Sequence, residues 1–170
     1  MTDIIKQILI IITLSVLLGF SRYALLDEKF PLIKEKRILN TITSSGDSSQ
    51  SDCKIPETLS EPVLINLVYS KCLFDDGSAL FIDSRETDEY SISHISNAVN
   101  IPYDYYEDYE FQLDEIDFEK PLVVYCSGGE CSLSIDLADY IFFDLGYFNV
   151  LVFEGGMPEW ESAGYPIQWS

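Results

Sequence analysis

The sequence has one histidine, His94, and only 10 basic residues against 29 acidic ones. Its net charge of -19 repels phosphate backbones, so we do not expect the protein to bind nucleic acid. A single histidine argues against a histidine-rich metal centre. The 4 cysteines are too few and too irregularly spaced to indicate a zinc site or a disulfide scaffold. We therefore expect neither a metal nor a cofactor.

The acidic excess is confined to the C-terminal part of the chain. Residues 61–170 contain 22 of the acidic residues and only 3 basic ones, which are Lys71, Arg85 and Lys120. A high net charge favours solubility, and it also suits a basic protein partner. The sequence leaves both interpretations open.

A long hydrophobic run lies near the N-terminus. Ile8 to Phe20 is almost entirely apolar, and an extension from Ile4 to Leu26 gives about 23 residues, enough for a membrane-spanning helix. Lys6 and Arg22 lie near the ends, where long basic side chains can reach the membrane surface. We expect residues 4–26 to form an uncleaved single-pass anchor. A secretory signal peptide is the alternative, although no A-x-A cleavage pattern follows the run.

The flanks of this segment do not determine its orientation. Five basic residues lie at or beyond its C-terminal end and favour a cytoplasmic C-terminal domain: Arg22, Lys29, Lys34, Lys36 and Arg37. The signal-like N-terminus favours the opposite side of the membrane. We assign residues 27–58 to a juxtamembrane segment and linker, because the stretch from Thr41 to Asp52 is rich in serine. Residues 59–170 then form the folded domain.

From about Leu59 onward, predicted strands and helices alternate. Predicted helices cover Val63–Phe74, Thr87–Ser93, Cys131–Leu145 and Met157–Ala163, and predicted strands cover Ala79–Ile82, Ala98–Ile101, Leu122–Tyr125 and Asn149–Phe153. Such alternation predicts an α/β domain with a mainly parallel sheet. We expect Cys53, beside the linker, to be exposed and incidental, and Cys72 to be one apolar position of a helix.

One of these strands ends in a cysteine. Cys126 follows the apolar run Pro121–Tyr125, and the chain then turns through Gly128 and Gly129 into a helical pattern. This arrangement places the sulfur at the carboxyl edge of the sheet, where open α/β sheets bind ligands. Backbone N–H groups of the turn and the helix N-terminus favour a thiolate, so we expect the pKa of Cys126 to be lowered. The pattern indicates a nucleophile or a sulfur carrier.

Four motifs occur in one order between about residues 60 and 168. They are Phe81-Ile82-Asp83-Ser84-Arg85, Tyr90 to Pro102 with Ser93-His94-Ile95 and Asn97-Ala98, the loop Cys126 to Ser132 after Val124-Tyr125, and Gly155-Gly156 with Trp160 and Gly164-Tyr165-Pro166. In this order and spacing the sequence resembles the rhodanese-like (sulfurtransferase) domain family. The apolar N-terminus followed by Phe30-Pro31-Leu32-Ile33 also resembles a membrane-anchored bacterial subgroup of that family.

The resemblance implies a five-stranded, mainly parallel sheet flanked by helices. Cys126 would be the catalytic residue that carries sulfur as a persulfide between a sulfur donor and a thiol acceptor. The substrate-binding loop would comprise Ser127, Gly128, Gly129, Glu130, Cys131 and Ser132. Asp83 and Arg85 would brace the loop as an ion pair, and His94 would be a buried hydrogen-bonding residue.

The sequence departs from the family pattern at two places. Ser93 and Asn97 replace glycines, and both are residue types that turns tolerate better than most. The cysteine loop contains Glu130 and no Lys or Arg. An acidic loop in an acidic domain attracts a dianion poorly, so we do not expect thiosulfate to be the physiological donor.

The loop has three other interpretations. A phosphatase is disfavoured because the loop has no arginine to clamp a phosphate. A thiol redox protein would use Cys126 and Cys131 as a pair, with Cys131 as a resolving cysteine; the alternative places Cys131 in the core at the helix start. A non-catalytic binding module is disfavoured because the loop cysteine is present.

Overall fold

The computed structural model of the protein has an N-terminal unit up to Lys36 and a second compact unit from Arg37 onward. The structure describes residues 2–25, 37–42, 53–56, 59–114, 116–129 and 131–169. The first unit contains helix α1 (Thr2–Ala24). Its segment Asp3–Ala24 is long and apolar enough to cross a membrane, a criterion of length and composition that a signal sequence also meets.

The second unit contains a six-stranded sheet and a short antiparallel pair. The strands are β1 (Thr41–Ile42), β2 (Val63–Ile65), β3 (Leu80–Asp83), β4 (His94–Ile95), β5 (Val99–Asn100), β6 (Leu122–Tyr125), β7 (Val150–Phe153) and β8 (Ile167–Gln168). The large sheet has the order β1-β2-β7-β6-β3-β5, and all its strand pairs are parallel. Strands β4 and β8 form the antiparallel pair.

Helices cover both faces of this sheet. They are α2 (Leu67–Asp76), α3 (Thr87–Ile92), α4 (Tyr106–Tyr109) between 3₁₀ turns at Tyr103–Tyr105 and Glu110–Leu113, α5 (Leu133–Asp139) continued by a π-helical turn at Tyr140–Asp144, and α6 (Gly156–Ser162). The expected α/β domain with a mainly parallel, helix-flanked sheet is confirmed. The sheet has six strands instead of five because β1 adds to its edge.

Strand β1 comes from the segment that the sequence analysis assigned to the linker. Thr41 and Ile42 pair with Leu64 and Ile65 of β2. Arg37, just before the strand, forms ion pairs with Glu61 and with Asp139 of α5. Residues 43–52 of the predicted linker lie outside the described residues.

The predicted helix Val63–Phe74 is wrong at its start. Val63, Leu64 and Ile65 are buried and form β2, and the helix begins only after Asn66. The Asn66 side chain accepts a hydrogen bond from the backbone N–H of Tyr69 at 2.9 Å, which caps the helix. A short apolar run has no periodicity that distinguishes a buried strand from a buried helix, so the boundary was missed.

The core has one layer on each face of the sheet because strand side chains alternate. Val124 and its same-face neighbours pack against α5 and the residues around Leu113. Val123 and Tyr125 face the other way and pack with α2, α6 and the fully buried Trp160. Strand β6 is therefore buried on both sides, as expected of a central parallel strand.

Asn97 and Ser93, which stand where the family pattern has glycine, differ in backbone conformation. Asn97 has a φ of 63° and is the one described non-glycine residue in the left-handed region. Asparagine tolerates that region better than most residues. Ser93 has a φ of -164° and is extended, so its position makes no demand for glycine.

A disulfide joins Cys53 to Cys72 of α2, with the two Cα atoms 6.0 Å apart. The expectation that Cys53 is incidental is wrong, whereas Cys72 lies in a helix as expected. The bond attaches the segment 53–56 to the folded domain at a point where neighbouring residues 43–52 and 57–58 are not described. Sequence spacing did not reveal the pair because only the fold brings these residues together.

We predict that loss of this disulfide lowers the free energy of unfolding by about 3 kcal/mol, the magnitude associated with closing a loop of this length. Cys53→Ser, Cys72→Ser and the double variant should lose the same amount, because each removes one and the same bond. Denaturant titration of the full-length protein in mild detergent measures the loss. A wild-type curve that dithiothreitol leaves unchanged would contradict the prediction.

Candidate active site

Three of the sequence motifs meet at the carboxyl edge of the sheet. Asp83 at the end of β3 pairs in register with Tyr125 at the end of β6, and Tyr125 pairs with Phe153 at the end of β7. The residues that follow these strands therefore lie side by side. They are Ser84-Arg85, the loop that begins at Cys126, and the turn Glu154-Gly155-Gly156.

Cys126 is buried at the base of its loop, with 1% of its surface exposed. Its Sγ accepts a hydrogen bond from the Ser134 hydroxyl at 3.4 Å and another from the backbone N–H of Gly128. Its S–H lies 3.6 Å from the carbonyl oxygen of Cys131. The sulfur thus has both a side-chain and a backbone donor, an arrangement that stabilises negative charge.

The glycine turn after β7 holds the loop in place. Gly156 has a φ of 58°, and a Cβ there would overlap the carbonyl oxygen of Cys126. The backbone N–H of Met157 donates to that same oxygen at 2.9 Å. Gly128, with a φ of 72°, packs so closely on Gly155 that it also leaves no room for a Cβ. The two glycine motifs are therefore parts of one backbone contact.

We predict that Gly156→Ala destabilises the domain by about 3 kcal/mol, because it adds left-handed strain to a clash with backbone. Gly129→Ala is the matched control. Gly129 has a similar φ of 67° but open space around it, so only the conformational cost of about 1 kcal/mol applies. Denaturant titration measures both losses, and equal losses would show that the backbone contact is unimportant.

The two thiols of the loop interact and shift each other's pKa in opposite directions. The interaction with Cys131, together with burial, raises the pKa of Cys126. The same interaction, with backbone N–H donors from Leu133 and Ser127, lowers the pKa of Cys131 to about 6. The expectation that the loop lowers the pKa of Cys126 is therefore wrong for the free dithiol. The lower pKa favours the thiolate form at the half-buried Cys131.

Asp83 and Arg85 form the ion pair that the sequence analysis expected. The guanidinium bonds both carboxylate oxygens, with Nη2 to Oδ2 at 2.6 Å, and also donates to the carbonyl oxygen of Ser93 at 2.7 Å. Burial alone would lower the pKa of Arg85, but the hydrogen bond and charge of Asp83 raise it overall. The pair joins the end of β3 to the turn before β4, which makes it a structural brace.

His94 lies in β4 and is 5% exposed. Its Nδ1 is 2.8 Å from the carbonyl oxygen of Tyr90, and its ring stacks on the Tyr90 ring at 3.8 Å. These contacts fit the expected role as a buried hydrogen-bonding residue. The described contacts of His94 do not include Cys126, so a cysteine–histidine catalytic pair has no support.

Two residues near the sulfur were not found from the sequence. Ser134 contacts Sγ because α5 turns it towards the loop, and Glu89 of α3 accepts a hydrogen bond from the Ser127 hydroxyl at 3.2 Å. Ser134 lies in the first turn of α5, directly after the loop, and this position could have indicated it. Nothing in the sequence indicated Glu89. Glu130, which the sequence analysis placed in the loop, lies outside the described residues.

The fold and the position of Cys126 define the protein as an α/β domain with a cysteine loop at the carboxyl edge of its parallel sheet. The family model for the rhodanese-like domain matches residues 69–163. The chain belongs to the rhodanese-like domain family. Within the described residues, no group of three or more His, Cys, Asp or Glu side chains is arranged to hold a metal.

Among curated proteins, the thiosulfate:glutathione sulfurtransferase of Saccharomyces cerevisiae is 33% identical over 100 residues, covering 52% of this chain and 69% of that protein. The tRNA uridine(34) hydroxylase of Erwinia tasmaniensis is 33% identical over 103 residues, covering 56% of this chain. The match spans only 29% of the hydroxylase. The domain is thus related to sulfurtransferases and to one part of a longer enzyme.

Solved structures show the same fold. A protein from Bacillus halodurans aligns with a TM-score of 0.54 at 22% identity, over 61% of this chain and 74% of that one. The polysulfide-sulfur transferase of Wolinella succinogenes aligns with a TM-score of 0.51 at 23% identity, over 64% of this chain and 80% of that one. At these identities the likeness establishes the fold alone.

Proposed function

We propose that the protein is a sulfurtransferase that moves a sulfane sulfur from a donor to a thiol acceptor through a Cys126 persulfide. The observation that carries the proposal is the setting of Cys126, whose sulfur lies at the carboxyl edge of the sheet with the Ser134 hydroxyl and the Gly128 N–H as donors. The relationship to sulfurtransferases supports it. No metal or cofactor takes part in the proposed reaction.

The first half-reaction begins with a proton shift inside the thiol pair. When the shared proton moves from Cys126 to Cys131, the negative charge passes to Cys126, where Ser134 and Gly128 stabilise it. The Cys126 thiolate attacks the outer sulfur of the donor, one sulfur–sulfur bond forms as another breaks, and the donor residue leaves with the electron pair. In the second half-reaction an acceptor thiolate removes the outer sulfur and regenerates Cys126.

The charge around the loop argues against thiosulfate as the physiological donor. Glu89 contacts Ser127 of the loop, and the Glu159 carboxylate lies against Gly155 in the adjoining turn. These carboxylates repel a dianion in a domain whose residues 61–170 carry the chain's whole net charge of -19. A persulfide of a small thiol or of a protein, including a basic protein, suits the site better.

The hydroxylase relatives suggest transfer RNA as an alternative substrate. The strong acidic charge of residues 61–170 disfavours it, because binding of an RNA backbone draws on positive charge. A binding module is the remaining alternative to an enzyme. We further propose that residues 4–26 anchor the protein to a membrane, on the basis of the length and apolar composition of α1.

We predict that Cys126→Ser abolishes sulfur transfer from every donor. The measurement is the intact mass of the full-length protein in detergent after exposure to thiosulfate or glutathione persulfide, followed by turnover with cyanide or a thiol. Cys131→Ser is the control that retains Cys126, and it should gain one sulfur atom. Retained turnover in Cys126→Ser would disprove the proposed role, and a Cys131→Ser protein that gains no sulfur would favour a binding module.

A further inference from the structure

Cys126 and Cys131 are the two free cysteines that the structure describes, and they lie in one loop. Sγ of Cys126 lies 3.6 Å from the carbonyl oxygen of Cys131, and each thiol shifts the pKa of the other, so the two residues interact directly. Cys126 is buried, whereas Cys131 is only half-buried. A sulfurtransferase that uses one cysteine has no need of a second thiol in contact with the first.

We infer that Cys131 is a resolving thiol that reduces the Cys126 persulfide and releases hydrogen sulfide. The inference rests on the proposed persulfide at Cys126. It adds a second outcome for the bound sulfur, which can be released as sulfide without reaching an acceptor. The domain would then act as a persulfide reductase as well as a transferase.

The step balances without any further oxidant. The Cys131 thiolate attacks Sγ of Cys126, which is the inner sulfur of the persulfide, and a disulfide between the two cysteines forms. The bond between the inner and outer sulfur breaks, and the outer sulfur leaves with the electron pair as hydrosulfide. A proton from solvent converts hydrosulfide to hydrogen sulfide. The Cys131 sulfur is oxidised from thiolate to disulfide, the outer sulfur is reduced to hydrosulfide, and the inner sulfur keeps its oxidation state.

The local geometry equips Cys131 for this attack. Backbone N–H groups of Leu133 and Ser127 donate to its sulfur and stabilise the thiolate. The carbonyl oxygen of Cys131 lies 3.6 Å from Sγ of Cys126, which places Cys131 beside the inner sulfur of the future persulfide. The pKa of Cys131, lowered to about 6, means that the attacking form is present at neutral pH.

The resulting disulfide must be reduced before the next cycle. An external dithiol of the thioredoxin-like class would do this by thiol–disulfide exchange, in which its own two thiols become a disulfide. Because Cys131 is half-buried and Cys126 is buried, the reductant would attack Cys131 first. Exchange would return both cysteines of the loop to the thiol form.

The test uses the full-length protein in detergent, glutathione persulfide as donor and no added reductant. Wild type should become two hydrogen atoms lighter than the dithiol form, with a Cys126–Cys131 disulfide in the peptide map, and release one equivalent of hydrogen sulfide per chain. Cys131→Ser should instead hold a stable extra sulfur atom on Cys126 and lose at least 90%, roughly tenfold, of the sulfide burst. Cys126→Ser should show neither product.

Four results would overturn the inference. Wild type that keeps a stable persulfide on Cys126, or that carries the extra sulfur on Cys131, would rule out attack on the inner sulfur. A glutathione adduct on Cys126 in Cys131→Ser would show that the disulfide arises without a persulfide. If Cys131→Ser gains neither sulfur nor glutathione, the proposed persulfide function itself fails, which separates the two proposals.

A second, independent inference rests on the Cys53–Cys72 disulfide. Disulfides persist in oxidising compartments and are rare in the cytosol. This bond lies in the same unit as the sheet and pairs Cys53 with the α2 residue Cys72. We infer that the folded domain lies on the oxidising, non-cytoplasmic side of the membrane. The signal-like N-terminus agrees with that side, whereas the basic residues on the C-terminal flank of α1 favour the cytoplasmic side, and the disulfide decides between the two.

For the test, the full-length chain is expressed in a Gram-negative host. Acid-quenched cells are treated with a maleimide polyethylene glycol reagent under denaturing conditions, and spheroplasts are digested with protease before and after lysis. We expect Cys53 and Cys72 to resist the reagent until reduction, Cys53→Ser to expose Cys72 to it, and the domain to be digested in intact spheroplasts. A domain protected until lysis, with both cysteines labelled without reduction, would overturn the inference.

Discussion

The close backbone contact between two glycine turns is the constraint on which the site depends. Gly156 lies against the carbonyl oxygen of Cys126, and Met157 donates a hydrogen bond to that oxygen. Gly128 lies against Gly155 in the same contact. The two turns follow β6 and β7, which are neighbours in the parallel sheet. The contact therefore fixes the loop relative to these central strands. The sulfur of Cys126 is positioned by backbone and not by a catalytic side chain.

The charged side chains nearest to the cysteine loop determine the electrostatics around the sulfur. The buried Asp83–Arg85 pair braces the adjacent turn, but Arg85 is occupied by Asp83 and by the Ser93 carbonyl. The Nε and Nη2 donors of the guanidinium are therefore committed to the protein. Glu89 instead places a carboxylate beside the loop. Together these contacts favour chemistry between sulfur atoms over recognition of an anionic group.

Much of the fold could be predicted from the sequence, with identifiable exceptions. The strands β3, β6 and β7 and the helix after Cys126 were predicted close to their observed bounds, because apolar runs there end at glycines or polar residues. Strand β2 was missed because its three residues adjoin a helix without a break in hydrophobicity. Strand β1 was missed because Thr41 and Ile42 form a strand only by pairing with β2. The position of Cys126 at the sheet edge followed from the sequence, whereas Ser134 and Glu89 did not.

The sequence by itself determined the α/β alternation, the cysteine loop at the end of a strand, and the apolar segment near the N-terminus. Each of these depends on residues that are close together along the chain, so local pattern was sufficient. Only the tertiary structure decided that Cys53 pairs with Cys72, that Gly156 supports Cys126, and that Cys131 carries the lower pKa of the two loop thiols. These properties depend on distances through space and on burial. A sequence pattern does not contain them until the strands are placed side by side.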